Sequence, residues 1–172
     1  IASLLRAGMI DPSGRIDTAI ARSRFWRGPN GQAHLMLVPA AETEHGRDLM
    51  LAQTDIRAVQ LAKGAIYTGV QMLSRRAGLT HPDHILVAGT LGNFLDIEDL
   101  LTIGMLPAID RKRICMVGNA AGGGAVCAAF DPVFLERAEA MAGRIETVDL
   151  AADADFQARF VASLAFTGIT GA

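Results

Sequence analysis

Three groups of residues in this sequence have types and spacings that bear on chemistry. The first is a polar stripe, Gln60, Lys63, Tyr67, Gln71 and Ser74, whose members fall three or four residues apart and so share one face of a helix. Gly64 lies within the stripe and leaves a notch, where a planar ring fits between the stems and heads of Gln60 and Lys63. The competing reading is a solvated face on an otherwise buried helix. The second group is Ile85-Leu86-Val87-Ala88-Gly89-Thr90-Leu91-Gly92-Asn93. Ligands of open α/β sheets gather beyond the carboxyl ends of strands, where Gly89 and Gly92 would let backbone amides approach a flat or anionic group. The same residues also make an ordinary tight strand-to-helix connection. The third is Val117-Gly118-Asn119-Ala120-Ala121-Gly122-Gly123-Gly124-Ala125. Its spacing is not Gly-x-Gly-x-x-Gly and no acidic residue follows at a strand end about 20 residues on, so close helix packing is favoured over phosphate contact.

Other chemistries fare poorly. His81-Pro82-Asp83-His84 imitates a metal clip, but its proline breaks helical ligand spacing and no thiolate is near. Arg111-Lys112-Arg113 reads as an exposed turn, since a nucleic-acid patch would carry interleaved aromatics and a wider basic surface. There is no Gly-x-Ser-x-Gly elbow, no His-Glu-x-x-His and no Walker loop. The 172 residues, 51% hydrophobic, suit one domain, and 16 basic against 18 acidic residues give a net charge of −2, which draws neither nucleic acid nor an anionic membrane. No apolar run reaches the roughly 18 to 20 residues of a membrane span, and no signal peptide is visible, so the expectation is a cytoplasmic protein. Cys115 and Cys127 are too few and too far apart for a cluster motif and are expected to be buried thiols.

These residues need elements to hold them. An apolar helix runs from Ile1 to Gly8 without a start methionine or cap, so the chain is expected to be cut from a longer one. The turn Asp11-Pro12-Ser13-Gly14 follows, then a hairpin of Arg22–Trp26 and His34–Val38 around Gly28-Pro29-Asn30-Gly31. Ile56, Val59, Ala62, Ile66, Val70, Leu73 and Ala77 predict a long helix, with Thr54 to cap it and Gly78 to end it. Beyond it, strands are predicted at 85–88, 114–117 and 145–148. Helices are predicted at 97–104, 120–130, from Pro132 with Asp131 as cap, and at 155–166. Two antiparallel strands followed by α/β units imply an α/β domain with a mixed sheet and flanking helices.

Four segments together carry a resemblance: 53–66, 87–96, Ile103-Gly104-Met105-Leu106-Pro107 and 117–125. In that order, across nearly the whole chain, they resemble the C-terminal ASKHA (actin, sugar kinase and chaperone ATPase-like) domain of the reductive activators of corrinoid proteins. The resemblance implies that residues 1–172 are one domain, the second lobe of an actin-like, ribonuclease H-like ATPase fold, truncated at its N-terminus. Adenosine would lie between the long helix, through Gln60, Lys63, Gly64 and Tyr67, and the glycine turn, through Gly89, Thr90, Gly92 and Asn93. Tyr67 is larger than the small polar residue of the chaperone branch. No catalytic residue or metal ligand is implied in this chain. The phosphate loops that hold ATP and magnesium, and a [2Fe-2S] ferredoxin domain, would lie elsewhere in the parent, where ATP drives reduction of a cobalt(II) corrinoid to cobalt(I). The implied partner is the corrinoid protein of a methyltransferase system, with a homodimer as a further possibility, and the isolated fragment is expected to be inactive. Two alternatives stand beside this reading: a docking or dimerisation domain without catalysis, and a lobe of another actin-like enzyme such as a hydantoinase or a dehydratase activator.

Overall fold

The hydrophobic period of three and four residues across 56–77 is realised as α2 (Gln53–Arg76), the longest element and the one around which the others are arranged. In the computed structural model, which describes residues 1–89 and 94–168, it is preceded by α1 (Ala2–Arg6), β1 (Phe25–Arg27), β2 (Ala33–Val38) and β3 (Leu49–Ala52). After it come β4 (Ile85–Ala88), α3 (Ile97–Thr102), β5 (Ile114–Gly118), α4 (Ala120–Phe130), α5 (Pro132–Ala142) and α6 (Phe156–Ala162).

The chain is α/β with flanking helices, and its antiparallel and parallel strands lie in two sheets. One has the order β1-β2-β3, all antiparallel; the other is the parallel pair β4-β5. The predicted hairpin is present as β1 and β2, with Gly31 at φ +77° in its turn. β3 was not anticipated, because its four residues run straight into α2 and carry no punctuation of their own. The stretch 145–148 is not a strand: among the described residues it has no pairing partner, and Ile145 is exposed. The last helix stops at Ala162, short of the predicted Phe166.

Helix ends follow local chemistry. Ala52, not Thr54, caps α2, and the Asp55 carboxylate accepts the Ala52 N–H at 2.8 Å, while the Thr54 hydroxyl accepts from Gln32 Nε2 at 2.7 Å. Gly78, at φ +70°, terminates the helix as predicted. Asp131 caps α5, its Oδ1 accepting from the N–H groups of Val133 and Phe134.

The core is built from Leu5, Ile10, Ile16, Leu35, Ile56, Ile103 and Phe166, with Ala2 and Ala21 filling between them. It therefore joins α1, the loop after it, the three-stranded sheet, the first turn of α2, the end of α3 and the segment after α6. No helix among the described residues is long and apolar enough to cross a membrane.

Candidate functional site

The polar stripe of α2 divides into two parts. At Gln60 and Lys63, each 1% exposed, it is covered by the chain's own backbone. Lys63 Nζ donates to the carbonyl of Ala165 at 2.6 Å and reaches that of Gly104 at 3.4 Å, and it stands 5.9 Å from the centroid of the Tyr67 ring. Gln60 Nε2 donates to the carbonyls of Ser13 and Leu164, both at 3.0 Å. One turn further on, the Thr68 hydroxyl donates to Ser163 Oγ at 3.2 Å. Residues 163–165 thus run along α2 as a strap, its carbonyls received by side chains spaced like the rungs of one helix face.

The notch expected at Gly64 is filled. A methyl group there would lie 3.1 Å from Leu164 Cδ2 and 3.4 Å from the Ser163 carbonyl oxygen and Phe160 Cε2. Glycine at this position lets the strap approach the helix, so Gln60, Lys63 and Gly64 do not face an open cleft here. The solvated-face reading fails at the same three residues. Burial pushes the Lys63 ammonium below its ordinary value, the carbonyl contacts notwithstanding. Gln60 Oε1 is buried without a hydrogen-bond partner, beside Gly14, whose φ of +79° and lack of a side chain leave room for the amide.

The second part of the stripe is open. Tyr67, Gln71 and Ser74 are half-buried, and Tyr67 stands between two surface pockets. One, of about 350 Å³, runs along α2 from Tyr67 past Gln71 and Ser74 to the 79–82 loop and Pro107. The other, of about 340 Å³, lies between Tyr67, Leu101, Gly104 and Thr167. Both volumes fall at the lower end of the roughly 300 to 1,000 Å³ of small-molecule sites.

At the carboxyl end of the parallel pair, Gly89 has φ +116° and its N–H donates to the Gly118 carbonyl at 2.8 Å; Gly118 itself has φ +63°. Two strand ends therefore present bare backbone side by side, in conformations that suit glycine. Thr90, Gly92 and Asn93 lie outside the described residues. Of the candidate contacts that are described, Tyr67 lines both of these pockets, whereas Gln60, Lys63, Gly64 and Gly89 line neither.

The small-residue helix α4 departs from expectation. It has no buried residue, and a methyl group added at Gly123 or Gly124 would meet nothing within 4 Å, so close packing does not explain these glycines. Cys115 and Cys127 are exposed rather than buried, on β5 and α4. Two such thiols do not fit a [2Fe-2S] cluster, which takes four cysteine ligands. Among the described residues no group of three or more His, Cys, Asp or Glu is placed to hold a metal ion.

Sequence reasoning missed the strap. Its signals were Thr68, which continues the Gln60 face two turns on, and Gly104, whose φ of +69° turns a carbonyl towards Lys63.

The family described as the C-terminal domain of RACo, the ASKHA domain, matches residues 1–170. The corrinoid activation enzyme RamQ of Eubacterium limosum is 39% identical over 133 residues, covering 73% of this chain and 22% of that protein. A solved structure, a reductive activator for corrinoid, iron-sulfur protein, is 31% identical and superimposes with a TM-score of 0.86 over 96% of this chain and 26% of its own. The chain thus spans about a quarter of the length of the relatives it matches.

Proposed function

The chain belongs to the family of C-terminal ASKHA domains of RACo, and from that membership we propose that it serves the nucleotide side of an ATP-dependent reductive activator, which returns an inactive cobalt(II) corrinoid protein to cobalt(I). The observation that carries this reading is the match over residues 1–170, joined to the 0.86 TM-score with a reductive activator. In this proposal, bound ATP supplies the free energy of a lobe movement that governs docking of the corrinoid protein. In this proposal magnesium, the phosphate loops and a [2Fe-2S] cluster, which would pass on the one electron that cobalt(II) takes up, are assigned to other parts of a longer polypeptide; this chain's two exposed cysteines cannot supply the cluster's four thiolates. The corrinoid partner would serve a methyltransferase, in the cytoplasm, with the activator as a homodimer.

For the adenosine we propose a seat against the open end of the stripe, where the Tyr67 ring forms a wall; Gly89, Thr90, Gly92 and Asn93 stay candidate contacts from the resemblance alone, since Gly89 lines neither pocket beside Tyr67 and the other three lie outside the described residues. Gln60, Lys63 and Gly64 then act by holding the strap along the same helix face. A docking role without nucleotide is the second reading, favoured by the filled notch at Gly64. The two separate in a polypeptide of the relatives' length carrying this domain and supplied with a low-potential one-electron reductant, when conversion of a cobalt(II) corrinoid protein is followed by visible absorption during ATP titration. The first reading expects ATP-dependent reduction, with half-maximal ATP raised about tenfold or more by Tyr67→Ala, the loss of one aromatic stacking contact of about 1–3 kcal/mol. Reduction that is indifferent to ATP would leave docking as the role. A Tyr67→Ala protein with unchanged ATP dependence would remove adenosine from this face.

A further inference from the structure

The pocket at the C-terminal half of α2 differs in charge from the rest of this chain. Arg75 and Arg159 line it, with the His81 imidazole, and no Asp or Glu does, although acidic residues outnumber basic ones overall. Its lining includes the apolar Val70, Leu79 and Pro107 and the Tyr67 ring, and Gln71 and Ser74 add hydrogen-bonding groups. A neighbouring cavity of about 520 Å³ shares the two arginines but is lined by Asp149, Asp153 and Asp155. Arg159 pairs with Asp155 on that side at 3.2 Å, and Arg76 pairs with Glu146 at 2.7 Å. Arg75 makes no ion pair among the described residues.

The end of α2 accounts for part of this, because cations are favoured in the last helical turn. It does not account for a lining free of carboxylates around an apolar floor. We infer that this pocket binds a small anion carried on a flat, apolar body, the ring resting on Tyr67 and Pro107 and the anionic group meeting Arg75. Phosphate and carboxylate share that chemistry, since guanidinium offers both a bidentate pair of donors. The inference shares the Tyr67 face with the adenosine seat proposed above and rests on that reading; it is tested on this chain alone, so its failure is read separately from a failure of ATP-dependent activation.

The test is titration of the 172-residue chain with AMP, adenosine, nicotinate and inorganic phosphate, by calorimetry and by amide chemical shifts that locate the contact. AMP or nicotinate is expected to bind about tenfold or more tightly than adenosine or inorganic phosphate, as one charge-assisted contact of about 1.5–3 kcal/mol requires. Whichever of the two binds tighter assigns the anion as phosphate or carboxylate. Arg75→Ala should weaken that binding about tenfold, with an unchanged unfolding midpoint, and about 0.5 M salt should weaken it in the wild type. The inference is overturned by equal affinity for AMP and adenosine, by an Arg75→Ala chain that binds as well as wild type, by shifts confined to other residues, or by no binding of either anion at about 10 mM.

Discussion

Phe166 and Phe130 are the same side chain in opposite circumstances. Phe166 is 1% exposed, wedged into the core that α1, the three-stranded sheet and α2 share; Phe130, at the end of α4, is 86% exposed. The contrast extends to their surroundings. Around α2, even an ammonium and a primary amide are buried and matched to backbone carbonyls. In α4 and α5 nothing is buried, and Val126, Val133 and Met141 stand in the open beside Phe130. Hydrophobic composition sets what a segment would gain from burial, but whether it is buried depends on another element reaching it. For α2 that element is the strap, delivered from far along the chain. For α4 and α5 none of the described residues serves.

Truncation should expose the difference at its largest. Phe166→Ala is expected to cost about 3–5 kcal/mol of stability through the cavity it leaves, read as a fall in the denaturant midpoint. A loss as small as a surface change would mean that the strap is not part of the cooperative core. Lys63→Met comes next. It keeps most of the stem's volume but strands the carbonyls of Ala165 and Gly104, at about 1–3 kcal/mol.

The Lys63 change also carries a pH signature. Because burial holds the folded-state pKa of Lys63 below 10.5, the unfolded chain binds more protons between the two values. Wild-type stability therefore gains relative to the Met variant as pH rises through that window, and is lost again as pH falls through it. A stability difference that stays flat from neutral pH to about 10.5 would contradict the burial of the ammonium. The smallest effect belongs to the other region: Phe130→Ala should change stability by no more than about 0.5 kcal/mol, with hydrogen exchange in α4 and α5 already faster than in α2. A drop comparable to that of Phe166→Ala would show that α4 is covered in solution.

The elements most legible in the sequence were those whose signals are local. The period of α2, the Asp131-Pro132 start of α5 and the Gly28–Gly31 turn each depend on neighbours within a few residues, and each was found where expected. The stretch 145–148 has strand composition, yet a strand needs a partner, and no described strand pairs with it. Cys115 and Cys127, expected to be buried, are exposed on a strand and a helix that none of the described residues covers at those positions. At the candidate site, the spacing of Gln60, Lys63 and Tyr67 correctly placed them on one helix face. What that face touches was not legible, because a carbonyl has no residue type. Any segment could offer them, and only the fold identifies Ser163, Leu164 and Ala165 as neighbours of α2.

The Phe166 N–H donates to the Pro12 carbonyl at 2.8 Å, tying the strap to the loop that follows α1. On the ribosome, that tie cannot form until residue 166 has emerged, more than 150 residues after Pro12. The α1 segment, the three-stranded sheet and α2 must wait with an apolar gap where Phe166 belongs, while β4 through α6 are still being made. Such a long-range closure slows folding and lengthens the interval in which sticky surface is on view. The nascent chain is thus expected to depend on chaperones most just before Phe166 emerges.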